Sequence, residues 1–279
     1  MVIFLNGNYV SEDEKISYND RGIQFGDGIY EVVRVYSGKL YTATEHFERL
    51  VRSANEIAIK SPYTVDEYIA ICEQLIENNQ IHDGSIYIQV TRGDAVRNHA
   101  YPENSRPNVL LYTNVVERPL QELKDGIKVI TAEDFRWLRC DIKSLNLLGN
   151  IMNKQKAVEN NAKEAIQIRD GIVTEGASSN VFIVKDGKIK THPANQLILN
   201  GITRRVIQQM AEALRIPFEE ETFDEETLKS ADEVFISSTT QEVMPVIQID
   251  EKPVHKGQVG PVVKQLQAQF EAQISALQA

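Results

Sequence analysis

Trp137-Leu138-Arg139-Cys140-Asp141-Ile142-Lys143-Ser144-Leu145-Asn146 is the stretch on which the reading of this chain turns. It sets one lysine between the apolar-rich Phe135-Arg136-Trp137-Leu138 and a segment that predicts a helix from about Ser144. Apolar surroundings push a lysine down from its usual pKa of about 10.4, because desolvation penalises the cation. Such an amine attacks an aldehyde readily and serves as a base afterwards. Downstream lies Thr174-Glu175-Gly176-Ala177-Ser178-Ser179-Asn180, with Glu175 expected just beyond a strand that includes Ala165-Ile166-Gln167-Ile168 and a turn at Arg169-Asp170-Gly171. Gly176 beside it would let a planar ring approach without side-chain crowding. Gly201-Ile202-Thr203-Arg204 then opens a predicted helix, whose free amides and positive dipole end suit a phosphate. Ser237-Ser238-Thr239-Thr240, after a strand at Val234–Ile236, offers further hydroxyl and amide donors.

Working outward, hydrophobic periodicity organises the rest. Val2–Leu5 and Tyr9-Val10 flank Asn6-Gly7, a favoured hairpin turn. Gly28–Tyr36 reads as a strand that turns at Ser37-Gly38-Lys39 and returns through Leu40-Tyr41-Thr42. A helix is predicted from about Thr44 with Phe47, Leu50, Val51, Ala54, Ile57 and Ala58 on one face. A second should start at Thr64, whose capping-box partner is Glu67, and bury Ile69, Cys72, Leu75 and Ile76. Ile86–Val90 and Val109–Val116 are further strands, Val181–Val184 and Lys188–Lys190 a hairpin through Asp186-Gly187, and Ile202–Leu214 and Gln258–Leu277 helices. The expected fold class is mixed α/β and α+β in two domains: a smaller one at 1–116 with a mainly antiparallel sheet, a linker at 117–121, and a larger one at 122–279. A crevice between domains is a usual place for a small molecule.

Bulk composition narrows the classes of function. The chain has 279 residues and a formal charge of −10, which argues against a nucleic-acid partner. No apolar run approaches the length of a membrane span, the start lacks the features of a secretory signal, and two distant cysteines build no disulfide framework. A cytoplasmic protein without a metal site is expected.

An amine, a carboxylate for a pyridine nitrogen and an anion-ready helix start are what a protein supplies to hold pyridoxal 5'-phosphate. In this order the sequence resembles the fold-type IV family of pyridoxal-phosphate enzymes, which includes aminotransferases and aminodeoxychorismate lyases. The matching segments are Asp20–Gly28, Glu45–Leu50, Lys143 with Asn146, Thr174–Asn180, Leu199–Arg204 and Ser238-Thr239-Thr240. The resemblance implies a cofactor in the inter-domain cleft. It makes Lys143 the Schiff-base lysine and proton shuttle, and Glu175 the partner of the pyridine nitrogen. It assigns Arg49, the amides of Ile202 and Thr203, Ser238 and Thr239 to the phosphate, and Leu199 to the cofactor ring. Ser178 and Ser179 would line the substrate side, and Arg136 would stand near the approach to the lysine.

Arg97-Asn98-His99 offers a guanidinium and an imidazole that point the same way from an extended loop, and a guanidinium clasps a carboxylate through two bonds. With Tyr30 this trio resembles the carboxylate trap of family members that act on D-amino acids, where it is completed across a homodimer interface. The implied activity is a ping-pong transamination between a D-amino acid, such as D-alanine or D-glutamate, and a 2-oxo acid, such as 2-oxoglutarate or pyruvate. Transamination of branched-chain L-amino acids and lyase chemistry on the same fold are the alternatives.

Overall fold

The computed structural model describes residues 1–278, which divide into two compact units. One comprises Met1–Glu117 with Ile142–Asn146 and the end of the last helix; the other comprises Arg118–Asp141 and Leu147–Ala276. Lys143 therefore belongs with the N-terminal unit, although it lies beyond the linker in sequence.

In the first unit, strands β1 (Val2–Leu5) and β2 (Asn8–Ser11) pair through Asn6-Gly7, both with positive φ as this tight hairpin requires. A short helix, α1 (Arg21–Phe25), follows, with the Asp20 side chain capping the amides of Gly22 and Ile23. Then come β3 (Gly28–Tyr36), β4 (Lys39–Tyr41), α2 (Ala43–Glu56), α3 (Val65–Asn79), β5 (Gly84–Thr91) and β6 (Asn108–Val115). The six strands run antiparallel in the order β2-β1-β6-β5-β3-β4. Helices α2 and α3 deliver Phe47, Leu50, Ala54, Tyr68, Cys72 and Leu75 to a core shared with Ile29, Val33, Ile86 and Ile88 of the sheet. The capping box at Thr64 and Glu67 is formed in both directions. Helix α2 stops short of the expected Ala58, which is exposed and left-handed at φ 53°. The carbonyls of Ile57 and Ala58 accept instead from the Arg92 guanidinium, which satisfies the chain where the helix ends.

The second unit begins with α4 (Leu120–Asp125), so the expected linker at 117–121 is partly helical. Arg118 is held by Glu242 and Glu271, a tether that composition did not reveal. There follow β7 (Ile127–Glu133), α5 (Leu148–Glu159), β8 (Glu164–Arg169), β9 (Ile172–Gly176), β10 (Asn180–Lys185), β11 (Lys188–Thr191) and α6 (Ile202–Ala213). The chain continues through β12 (Phe218–Glu220), α7 (Glu225–Lys229), β13 (Glu233–Ser238), β14 (Glu242–Ile249), β15 (Lys252–Pro253) and α8 (Pro261–Gln278). The mixed sheet runs β12-β11-β10-β13-β14-β7-β8-β9, with β15 on β14 and parallel pairs at β14/β7, β7/β8 and β11/β12. Val129, Ile166, Val181, Ile183, Val234, Ile236 and Val246 fill the core. Helix α8 starts at Pro261, later than the expected Gln258, and buries Val263, Leu266, Phe270 and Ile274. Val262, expected on that face, is only partly covered. Among the described residues no helix is long and apolar enough to cross a membrane.

Candidate functional site

Lys143 owes its position to strand pairing, not to a helix. Helix α5 begins only at Leu148, and Ser144 forms a bridge with Ile29. The Tyr30 amide donates to the Lys143 carbonyl at 3.0 Å, and the Leu145 amide to the Gly28 carbonyl at 3.0 Å. The segment's backbone is thereby committed to the start of β3, which overrides its helical tendency. Lys143 is half-buried, and its Nζ stands over the Tyr30 ring at 4.2 Å from the centroid. The ring face packs against the end of the side chain and helps fix where Nζ lies.

Arg49 comes from α2 on the same unit, 6 % exposed, with Nε and Nη2 on the two oxygens of Glu31 at 2.7 and 2.9 Å. His46 Nδ1 meets Glu31 at 2.7 Å. Sequence reading named Arg49 but missed Glu31 and His46, its buried supports. Burial opposes the Glu31 charge, but Arg49 and His46 together hold the carboxyl well below the usual range. Burial lowers the His46 imidazole, even though Glu31 pulls the other way.

Arg97 and His99 are exposed on the loop between β5 and β6. Arg97 Nη1 donates to the Gln24 carbonyl at 3.1 Å, its guanidinium lies over the Phe25 ring at 4.3 Å, and the His99 ring is 5.4 Å from that of Phe25. Tyr30 stacks on Tyr87 at 5.8 Å. The structure thus gathers Arg97 and His99 around Phe25, and within one chain it bonds neither to Tyr30.

In the second unit Glu175 lies inside β9, not beyond a strand as expected. Its Oε1 accepts from Arg136 Nη1 at 2.5 Å, and its Oε2 from Asn180 Nδ2 at 3.1 Å and the Leu199 amide at 3.0 Å. Arg136 is a salt-bridge partner of both Glu175 and Asp134. Asp134 also receives Arg169 and the Thr174 hydroxyl. Burial would raise the Asp134 carboxyl, but Arg136 and Thr174 bring it down to about 2. Burial pushes the Glu175 carboxyl up, and Arg136 limits the rise. A buried carboxylate fixed on three donors yet raised in basicity is suited to share a proton with a ring nitrogen.

Asn180 also donates to the Leu199 carbonyl at 2.8 Å, so it ties Glu175 to the chain entering α6. That helix is N-capped by Gly201 with no side-chain cap, leaving the first-turn amides of Ile202 and Thr203 to an incoming anion. A Cβ on Gly201 would sit 2.2 Å from Asn180 Oδ1, so only glycine permits this approach. Of the hydroxyls after Phe235, Ser238 Oγ accepts from the Gln241 amide at 3.2 Å, while Thr239 is half-buried in the turn that follows. The buried Ser237 Oγ, on the Phe235 face of β13 by strand alternation, lacks a partner among the described residues. An unpaired buried hydroxyl costs stability unless a ligand or water meets it. Ser178 and Ser179 donate to Glu164 Oε2 at 2.6 and 3.1 Å, so both hydroxyls already have an acceptor.

Residues 28–249 match the amino-transferase class IV family. The chain is 56% identical over 276 residues to D-alanine aminotransferase of Staphylococcus aureus, covering 98% of both chains. It is 48% identical over 275 residues to the D-alanine aminotransferase of Bacillus licheniformis, covering 98% of this chain and 97% of that one. Its fold superposes on a branched-chain amino acid aminotransferase of Escherichia coli with a TM-score of 0.94 at 28% identity, over 98% of this chain and 94% of the other.

Proposed function

This chain belongs to the class IV aminotransferase family, and from that premise we propose that it moves the amino group between D-amino acids, D-alanine foremost, and 2-oxo acids with pyridoxal 5'-phosphate as cofactor. The observation that carries the reading is 56% and 48% identity to two D-alanine aminotransferases over 98% of this chain. The residues present fit the cofactor. The orphaned Ser237 hydroxyl and the uncapped start of α6 supply donors for a phosphate, and Glu175 is a buried, pre-positioned acceptor. When bound, pyridoxal phosphate supplies an aldehyde carbon and a ring that takes up the electron pair released at the substrate Cα.

We assign the roles as follows. Lys143 Nζ would be the amine that holds the cofactor's aldehyde and, once freed, would move the substrate Cα proton. Glu175, steadied by Arg136, Asn180 and the Leu199 amide, holds a proton at the pyridine nitrogen. The amides of Ile202 and Thr203, with Arg49, Ser238 and Thr239, hold the phosphate, and Leu199 packs on the ring. Arg97 and His99 hold the substrate carboxylate with Tyr30, and Ser178 and Ser179 border the substrate. Because both residues are exposed and unconnected to Tyr30 in their own chain, they serve the site of a second copy, which makes the enzyme a homodimer. Its two unpaired cysteines suit a reducing cytoplasm.

Single-turnover mixing of the holoenzyme with D-alanine or L-alanine tests the reading. Pyruvate should appear faster from the D isomer, and Lys143→Ala should form none at a comparable rate. An L preference would overturn the proposal.

A further inference from the structure

The Asp20–Gly28 segment marks the family, yet no assigned role uses its side chains. The structure brings two of its charged members, Arg21 and Asp27, together with Arg92 under the loop that carries Arg97 and His99. Arg21 and Arg92 are 3 % and 4 % exposed, and the Asp27 side chain 10 %. Asp27 Oδ2 accepts from Arg21 Nε at 2.7 Å and Arg92 Nε at 2.8 Å, and its Oδ1 accepts from Arg92 Nη2 at 3.0 Å. One carboxylate thus joins two buried guanidinium groups.

The remaining donors of both arginines reach main-chain carbonyls. Arg21 Nη1 donates to Asn98 at 2.5 Å and more weakly to Ala100 at 3.4 Å, while Nη2 reaches the His99 carbonyl at 3.4 Å. Its guanidinium also lies over the Phe25 ring at 4.7 Å, the ring that Arg97 covers at 4.3 Å. Arg92 spans the end of α2 through Ile57 and Ala58, and Tyr101 closes over it at 3.5 Å. The loop's near end is pinned too. Arg21 N donates to Gly93 O at 3.0 Å, Ala95 N to Asn19 O at 3.1 Å, and Asn108 Nδ2 to both Asp20 and Asp94. Gly93, at φ 91°, has no room for a Cβ, which would fall 1.8 Å from the Arg106 carbonyl.

We propose that Asp27, Arg21 and Arg92 form a buried clamp that positions the loop bearing Arg97 and His99, and so sets the affinity for the carboxylate of both substrates. They are positioning residues and touch no reacting atom. Exposed side chains such as those at 96–101 lose much entropy when ordered, and rigid buried anchors remove that cost before the substrate arrives. A planar guanidinium suits the task because it reaches a carboxylate and several carbonyls in one geometry. The inference rests on the proposed role of Arg97 and His99.

Steady-state kinetics of holoenzyme variants test it, with Arg97→Ala as reference. Arg21→Met should raise KM for D-alanine and for 2-oxoglutarate alike, by about tenfold, with kcat within about twofold of wild type. Arg21→Lys, which keeps the charge and loses the fork, should fall between, and serves if the methionine variant does not fold. Amide hydrogen exchange at 95–101 should quicken in Asp27→Asn while the strands β3 and β5 keep their protection. If Arg97→Ala raises KM and the Arg21 variants do not, the clamp is wrong and the trap stands. If Arg97→Ala leaves KM unchanged, both fall. A loss of kcat and of cofactor absorbance with KM intact would also overturn the clamp, since that is what a general structural role produces.

Discussion

The Glu31 carboxylate is fully enclosed and carries two partners of different character. Arg49 neutralises it through a two-pronged pair, so a second cation beside it would gain little. Burial therefore decides the state of His46, whose pKa drops and whose ring stays neutral in the folded chain. The unfolded chain takes up a proton near the ordinary value of 6.5 where the folded one does not. Stability is full above that pH and is lost as pH falls below it. His192, lowered by its own burial, acts in the same sense. Glu31, held low by Arg49, adds a further loss once pH drops below its ordinary 4.5. Thermal melts from about pH 8 to about pH 5.5 should show a falling midpoint, and His46→Asn should flatten part of that fall. An unchanged slope in the variant would remove His46 from the account.

At the scale of elements, two helix starts show how differently a cap can be encoded. Thr64 caps α3 with Glu67, a local pair three residues apart, and both halves of the box are in place. Helix α8 is capped from another strand: Glu233 of β13 accepts from the Val262 and Val263 amides at 3.0 Å each. That carboxylate is only 4 % exposed and meets the positive end of a long helix. Denaturant unfolding should give a loss of about 1 kcal/mol for Thr64→Ala and about twice that for Glu233→Ala. Equal losses would mean that the buried charge at α8 adds nothing beyond an exposed hydroxyl.

For the whole molecule the question is whether one chain can complete its own site. Arg97 and His99 project outward around Phe25, while Tyr30 lies with Tyr87 and Lys143. If they serve a second copy, two defective variants should repair each other. In mixed dimers of Lys143→Ala with Arg97→Ala, one of the two sites regains both an intact lysine and an intact arginine. Equal mixing under conditions of subunit exchange should then recover about a quarter of wild-type activity. No recovery, with exchange verified by mass, would place the arginine in its own chain's site.

Local and medium-range chemistry is what the sequence determined alone. The hairpins at Asn6-Gly7 and Asp186-Gly187, the capped start of α3 and the buried faces of α2 and α8 follow from residue type and spacing, because each depends on neighbours within a few turns. Lys143, Glu175 and the glycine opening α6 stood out for the same reason, each within a short motif. Tertiary structure alone decided the rest. It drew Ser144 out of a helix and onto β3, set Arg136 on Glu175, left the buried Ser237 hydroxyl without a partner among the described residues, and joined Arg21 to Arg92 through Asp27. Those outcomes turn on buried charges finding partners far along the chain, and sequence spacing carries no record of which carboxylate a guanidinium will meet once water is excluded.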